Sequence, residues 1–231
     1  MNANRIKTVL LGLIILAGGF FNAFSKSSRY VIKTKYFDVI FHEPSKQTAQ
    51  LLAENIDDIY LDIRKSYKVE DYYTFKHFPV YVEFSTQELN AYYTDYPFRQ
   101  IVFYDTLPAS GMAVFSETVL SIIKHELTHA VAMNVKNKGN EFFSTIIYNG
   151  WGWQFYTTPT SVSEGFTVSL ESENGEGRLN SPFATHIIKQ AKIENKFPKH
   201  QQATGARDVY PIGNVPYLFG GTFTQFVKDK Y

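Results

Sequence analysis

Between residues 116 and 134 the chain reads SETVLSIIKHELTHAVAMN, and no other stretch restricts the fold as much. Leu120, Ile123, Leu127, Ala130 and Asn134 recur at the three-and-four spacing of a helix face that packs against a core. A helix starting near Ser116, a suitable N-cap, would be buried along that stripe. His125 and His129 stand four residues apart, so their side chains leave one face, a turn apart and beside the stripe. Two imidazoles placed in this way can reach one ion, and Glu126, rotated by one residue, can reach a water on it. The other arrangement that this spacing allows is a pair of hydrogen-bonded core histidines.

The 231 residues include no cysteine, so disulfides, thiolate metal sites and a cysteine nucleophile are excluded. Any metal must be held by His, Asp and Glu. HExxH is the arrangement of zinc hydrolases, with two histidine ligands and a glutamate base, and a catalytic zinc takes a third protein ligand. The metzincin continuation requires Gly and His where Ala132 and Val135 stand, which excludes that class. Two later glutamates compete. Glu141 lies in the polar run KNKGNEFF, where solvent is its expected surrounding. Glu164 is expected in the first turn of a helix that begins at about Ser161 or Ser163, where the helix N-terminus favours an anion. Gly165 leaves room there for a close approach to the first helix. Glu164, Val168 and Glu171 share a face, so Glu171 is either the orienting partner of a ligating histidine or an ordinary exposed carboxylate.

The length suits one domain with a sizeable core. Residues 1–25 have the layout of a secretory signal: Arg5 and Lys7 precede an apolar run from Thr8 to Phe21, then Ala23-Phe24-Ser25 offers a cleavage site. An uncleaved membrane anchor is the alternative, although ~14 apolar residues are short for a ~30 Å hydrocarbon core. Cleavage would change the formal charge from +1 to −1. A nearly neutral chain without a long basic run excludes a nucleic-acid partner bound through a basic face. The expected site of action is periplasmic or extracellular, with no stable membrane insertion after cleavage.

SRYVIKTKYFDVIFHE, HFPVYVEFST and RQIVFYDT read as strands, the last two separated by a Tyr-rich polar connection. QTAQLLAENIDDIYLDIRKSY aligns Leu52, Ile56, Ile59, Ile63 and Tyr67 on one helical stripe. The region 136–160 is irregular. SPFATHIIKQAKIENK reads as a helix, and GNVPYLFGGTFTQFVKDKY as a loop, a glycine pair and a terminal helix. Strands with a long helix followed mainly by helices make an α+β fold. The final helix stops at Tyr231 without a cap, as expected if a downstream domain is missing.

HELTHAVAMN, SEGFTVSLESENGEGR and PYLFGGTFTQFVKDKY together resemble the gluzincin metallopeptidases, specifically the bacterial exported peptidase-MA-like group, over roughly residues 36–231. The resemblance implies a thermolysin-like zincin domain over residues 26–231, in which a small twisted sheet lies over the HExxH helix and a helical subdomain follows. It implies Zn2+ held by His125, His129 and Glu164, with Glu126 as the base that assists attack of a zinc-bound water on a peptide bond. Tyr217 is then the first candidate for oxyanion stabilisation and Tyr210 the second. The strand RQIVFYDT would be the edge that pairs with an extended substrate. Two departures stand out. The interval between His129 and Glu164 is longer than in relatives, so that the aromatic segment around Trp151 and Trp153 is extra. SGMAVF also has Ala113 where aminopeptidases of the clan carry an amine-gripping glutamate, which favours an endopeptidase acting on peptide or protein substrates. The alternative is a catalytically inactive zincin-fold module that binds peptide, glycan or a partner protein.

Overall fold

The structure is a computed structural model that describes residues 28–67, 74–84, 89–95, 98–105, 116–134, 158–175, 177–205 and 215–231. The signal-like segment 1–25, SGMAVF, Glu141, Trp151, Trp153 and Tyr210 lie outside the described residues.

Alternating apolar residues build the sheet. β1 (Arg29–Lys33) and β2 (Phe37–His42) form an antiparallel pair. From β2 the chain crosses through α1 (Lys46–Tyr67) to β3 (Phe78–Glu83), which lies parallel to β2. β4 (Asn90–Thr94) and β5 (Gln100–Tyr104) complete five strands in the order β1-β2-β3-β5-β4. β5 runs parallel to β3 and antiparallel to β4.

Two expectations fail here. The Tyr-rich connection is itself a strand, NAYYT, and RQIVFYDT is an interior strand because β4 covers its outer side. The edge nearest the histidine helix is therefore β4.

On one face of the sheet Phe37, Val39, Val80, Ile101 and Phe103 are fully covered. They pack against Leu52, Ile56, Tyr60 and Ile63 of α1 and against Ile123, Leu127 and Ala130 of α2 (Ser116–Asn134). The apolar stripe of α2 thus faces the sheet as its spacing requires, with Leu120 and Asn134 at its half-buried margins.

The second half is helical: α3 (Thr160–Glu171), α4 (Pro182–Ile193), α5 (His200–Gly205) and α6 (Val215–Lys230). α3 and α6 pack most extensively on each other and meet through glycine. A Cβ on Gly165 would sit 2.4 Å from the Gly220 carbonyl carbon, and one on Gly220 would sit 2.2 Å from the Ser161 oxygen. Only hydrogen fits between these two backbones. Gly220 and Gly221 were expected ahead of the terminal helix; they lie inside it, because Val215 and Pro216 start α6 earlier. α3 rests against α2 in turn and brings the two halves together. No helix among the described residues is long and apolar enough to cross a membrane.

Candidate metal centre

The α2–α3 contact brings together side chains that are distant in sequence. His125 Nε2 lies 3.3 Å and His129 Nε2 3.1 Å from the same carboxylate oxygen, Glu164 Oε2. The ligand atoms of His125, His129 and Glu164 all fall within 4.8 Å of one another, and the three residues form a group that could hold a metal ion. α3 starts at Thr160 with Pro159 as its N-cap, one residue before the earliest expected start. Glu164 therefore sits beyond the first turn, and the helix terminus contributes less to it than expected. The glycine contact that sets α3 beside α6 begins at the very next residue, Gly165.

The outer nitrogens of the two rings have different surroundings. His125 Nδ1–H donates to Glu171 Oε2 at 2.7 Å. Glu171 is buried and also holds Arg178 through its second oxygen, at 3.1 Å from Nε. Of the two roles open to Glu171, the geometry is that of the orienting partner. His129 Nδ1 lies 3.4 Å from both Ser163 Oγ and Thr167 Oγ1. Thr167 spends its own proton on the Ser163 carbonyl at 3.0 Å, which leaves its oxygen to accept from Nδ1–H. With both Nδ1 atoms engaged, both Nε2 atoms point at the shared position beside Glu164. Two imidazole nitrogens, with their rings held from behind, and one carboxylate oxygen could hold a metal ion, and the set contains no thiolate.

Burial disfavours the charged form of His125, but hydrogen bonds to Glu164 and Glu171 and the charge of Glu126 outweigh it and raise its pKa to about 9. Burial pushes Glu164 up, yet the bonds from both histidines hold it at about 2.

Glu126 projects beside the pair. It is nearly covered, and burial raises its carboxyl against the pull of both imidazoles. Its Oε2 accepts the Tyr93 backbone N–H at 2.8 Å, so β4 fixes the carboxylate by its main chain. The Tyr93 hydroxyl is held in turn by Asp95 and Asn134.

Tyr217, in the first turn of α6, closes the other side. Its ring centre is 6.1 Å from that of His125, and burial raises its hydroxyl, with Glu164 adding to the effect. The cleft between these residues has a volume of about 230 Å³ and is lined further by Ala91, Tyr92, Tyr93, Met133 and Ser163.

The structure thus gathers His125, Glu126, His129, Glu164 and Tyr217 around one cleft. Sequence reasoning missed Tyr93 and Arg178. A signal for the first was present in the β-prone pair Tyr92-Tyr93. For the second, the glycine of GEGR marked a turn but gave no direction for the arginine.

No family model and no solved structure matches the chain. It is 32% identical over 214 residues, 91% of its length, to an uncharacterized protein of Treponema pallidum (strain Nichols). The chain spans 19% of the length of that relative.

Proposed function

We propose that the chain carries an exported zinc-dependent metallopeptidase domain of the gluzincin type, more suited to internal peptide bonds than to N-terminal residues. The observation that carries this reading is the approach of His125 Nε2 and His129 Nε2 to Glu164 Oε2, with the buried Glu126 carboxylate at the same cleft. A nitrogen–nitrogen–oxygen set with thiolates absent suits zinc. Zinc, when bound, would supply Lewis acidity, lowering the pKa of a coordinated water to about 7 and polarising a carbonyl.

The protein's own groups account for the remaining chemistry. Glu126, raised by burial and anchored by Tyr93 N–H, is suited to take a proton from the attacking water and return it to the departing amine. Glu171 holds His125 in the tautomer that leaves Nε2 free to ligate. Tyr217 faces the cleft from α6 and can donate its hydroxyl proton to a developing oxyanion. β4 is hydrogen-bonded to β5 along one side and forms the sheet edge beside the cleft, the edge along which an extended peptide would lie. The basic–apolar–small order of residues 1–25 supports export.

The test combines metal analysis and hydrolysis. Protein lacking residues 1–25 is expected to hold about one zinc per chain and to cleave unstructured polypeptide, with chelator abolishing cleavage. Glu126→Gln is expected to retain zinc and lose at least ~100-fold in rate. Zinc retention without any hydrolysis by the unaltered chain would instead support the binding module.

A further inference from the structure

Arg178 follows the C-terminus of α3 and touches both Glu171 and Tyr217. Gly177 before it has φ +72°, and a Cβ there would lie 2.6 Å from the Glu171 carbonyl oxygen. Glycine alone lets the chain fold back so closely. The fold-back sets the Arg178 backbone nitrogen 3.4 Å and its Nε 3.1 Å from Glu171 Oε1. The other oxygen of that carboxylate holds His125 Nδ1 at 2.7 Å. At the same time the guanidinium carbon stands 4.7 Å from the centre of the Tyr217 ring, which in turn faces His125. His125, Glu171, Arg178 and Tyr217 thus form a closed circuit that joins α2, the α3 turn and α6.

We propose that Arg178 is a positioning residue that locks the His125 imidazole and the Tyr217 ring into one fixed relation. Toward Glu171 it works as a charge. The Glu171 side chain is 3% exposed, and a buried carboxylate that loses its cation is strongly penalised and drifts from its place. Toward Tyr217 it works as a plane: a guanidinium stacks over an aromatic face, whereas an ammonium on a flexible stem does not hold a ring in one orientation. The two contacts therefore separate under substitution. Lysine can restore the first but not the second, and methionine restores neither.

The Tyr217 half rests on the peptidase reading, whereas the metal half does not. The experiment uses the chain without residues 1–25 as wild type, Arg178→Met and Arg178→Lys, with folding checked by thermal melts. Titration with Co2+ alone is read by its visible absorption bands, and hydrolysis of a quenched fluorescent peptide is read as kcat and KM separately. Arg178→Met is expected to fold and to bind Co2+ about 10–100-fold more weakly, with altered bands. Arg178→Lys is expected to recover Co2+ affinity to within about threefold while kcat stays down about tenfold at nearly constant KM. Wild-type Co2+ affinity and bands in Arg178→Met would overturn the proposal, as would a wild-type kcat in Arg178→Lys. If the wild type binds Co2+ and cleaves nothing, the peptidase reading fails while the Co2+ comparison still decides the role of Arg178 toward His125.

Discussion

The two halves of the molecule close their interiors by opposite means. Between the sheet and helices α1 and α2 the space is filled by large side chains, with Phe37, Tyr60, Phe103 and Leu127 almost wholly covered. Between α3 and α6 it is filled by backbone, because Gly165 and Gly220 bring the helices together at a distance that no Cβ can enter. The first kind of interior can lose volume and still keep its outline. The second holds its geometry by having nothing to lose, so any added atom displaces a helix. The site draws on both: His125, Glu126 and His129 come from the filled half, Glu164, Glu171 and Tyr217 from the glycine-spaced half.

This contrast can be broken experimentally. Phe103→Ala, at a residue with no exposed surface, is expected to cost about 3–5 kcal/mol in unfolding experiments. The fraction that remains folded should keep its affinity for metal, since Phe103 supplies no ligand atom and lies on a different element from all three ligands. Gly165→Ala adds a single methyl group and is expected to cost about 1–3 kcal/mol, less than the phenylalanine truncation. Its metal affinity should nevertheless fall, because the displaced residue adjoins Glu164. Denaturation and Co2+ titration of the two variants test the contrast, and equal losses of metal affinity would remove it.

A smaller effect concerns pH. The folded-state pKa of His125, about 9, lies above the unfolded value of roughly 6.5. Its contribution to the metal-free protein is therefore complete below about pH 6.5 and lost as pH rises through about 9. Glu164, held at about 2, contributes above roughly pH 4.5 and loses its share as pH falls through about 2. Metal competes with the proton at His125, so metal affinity should climb as pH rises toward about 9 and then level off. The gap in melting temperature between metal-loaded and metal-free protein should widen over that rise. A gap that stays constant would show that the ring does not exchange its proton for the ion.

The two halves also differed in how far their sequences could be read. The α2 stripe and the His125/His129 face follow from spacing along one helix, and both are in place in the structure. Glu164 was reachable because Gly165 beside it hinted at a close approach, which proved to be against Gly220 of α6 rather than against α2. β4 was passed over because the charge and polarity around NAYYT mask its alternation, and its place at the edge depends on pairing with β5. The Gly220-Gly221 pair read as a break before a helix because glycine disfavours helices on its own, whereas crossing helices reward its lack of a side chain. The direction of Arg178 rests on one backbone angle at Gly177, which composition does not encode.

The three ligand atoms come from positions 39 and 35 residues apart along the chain. A ribosome-bound fragment that ends before Thr160 therefore owns the two imidazoles but not the Glu164 carboxylate that joins them. The three-residue group is therefore completed only after α3 has been made and has docked on α2.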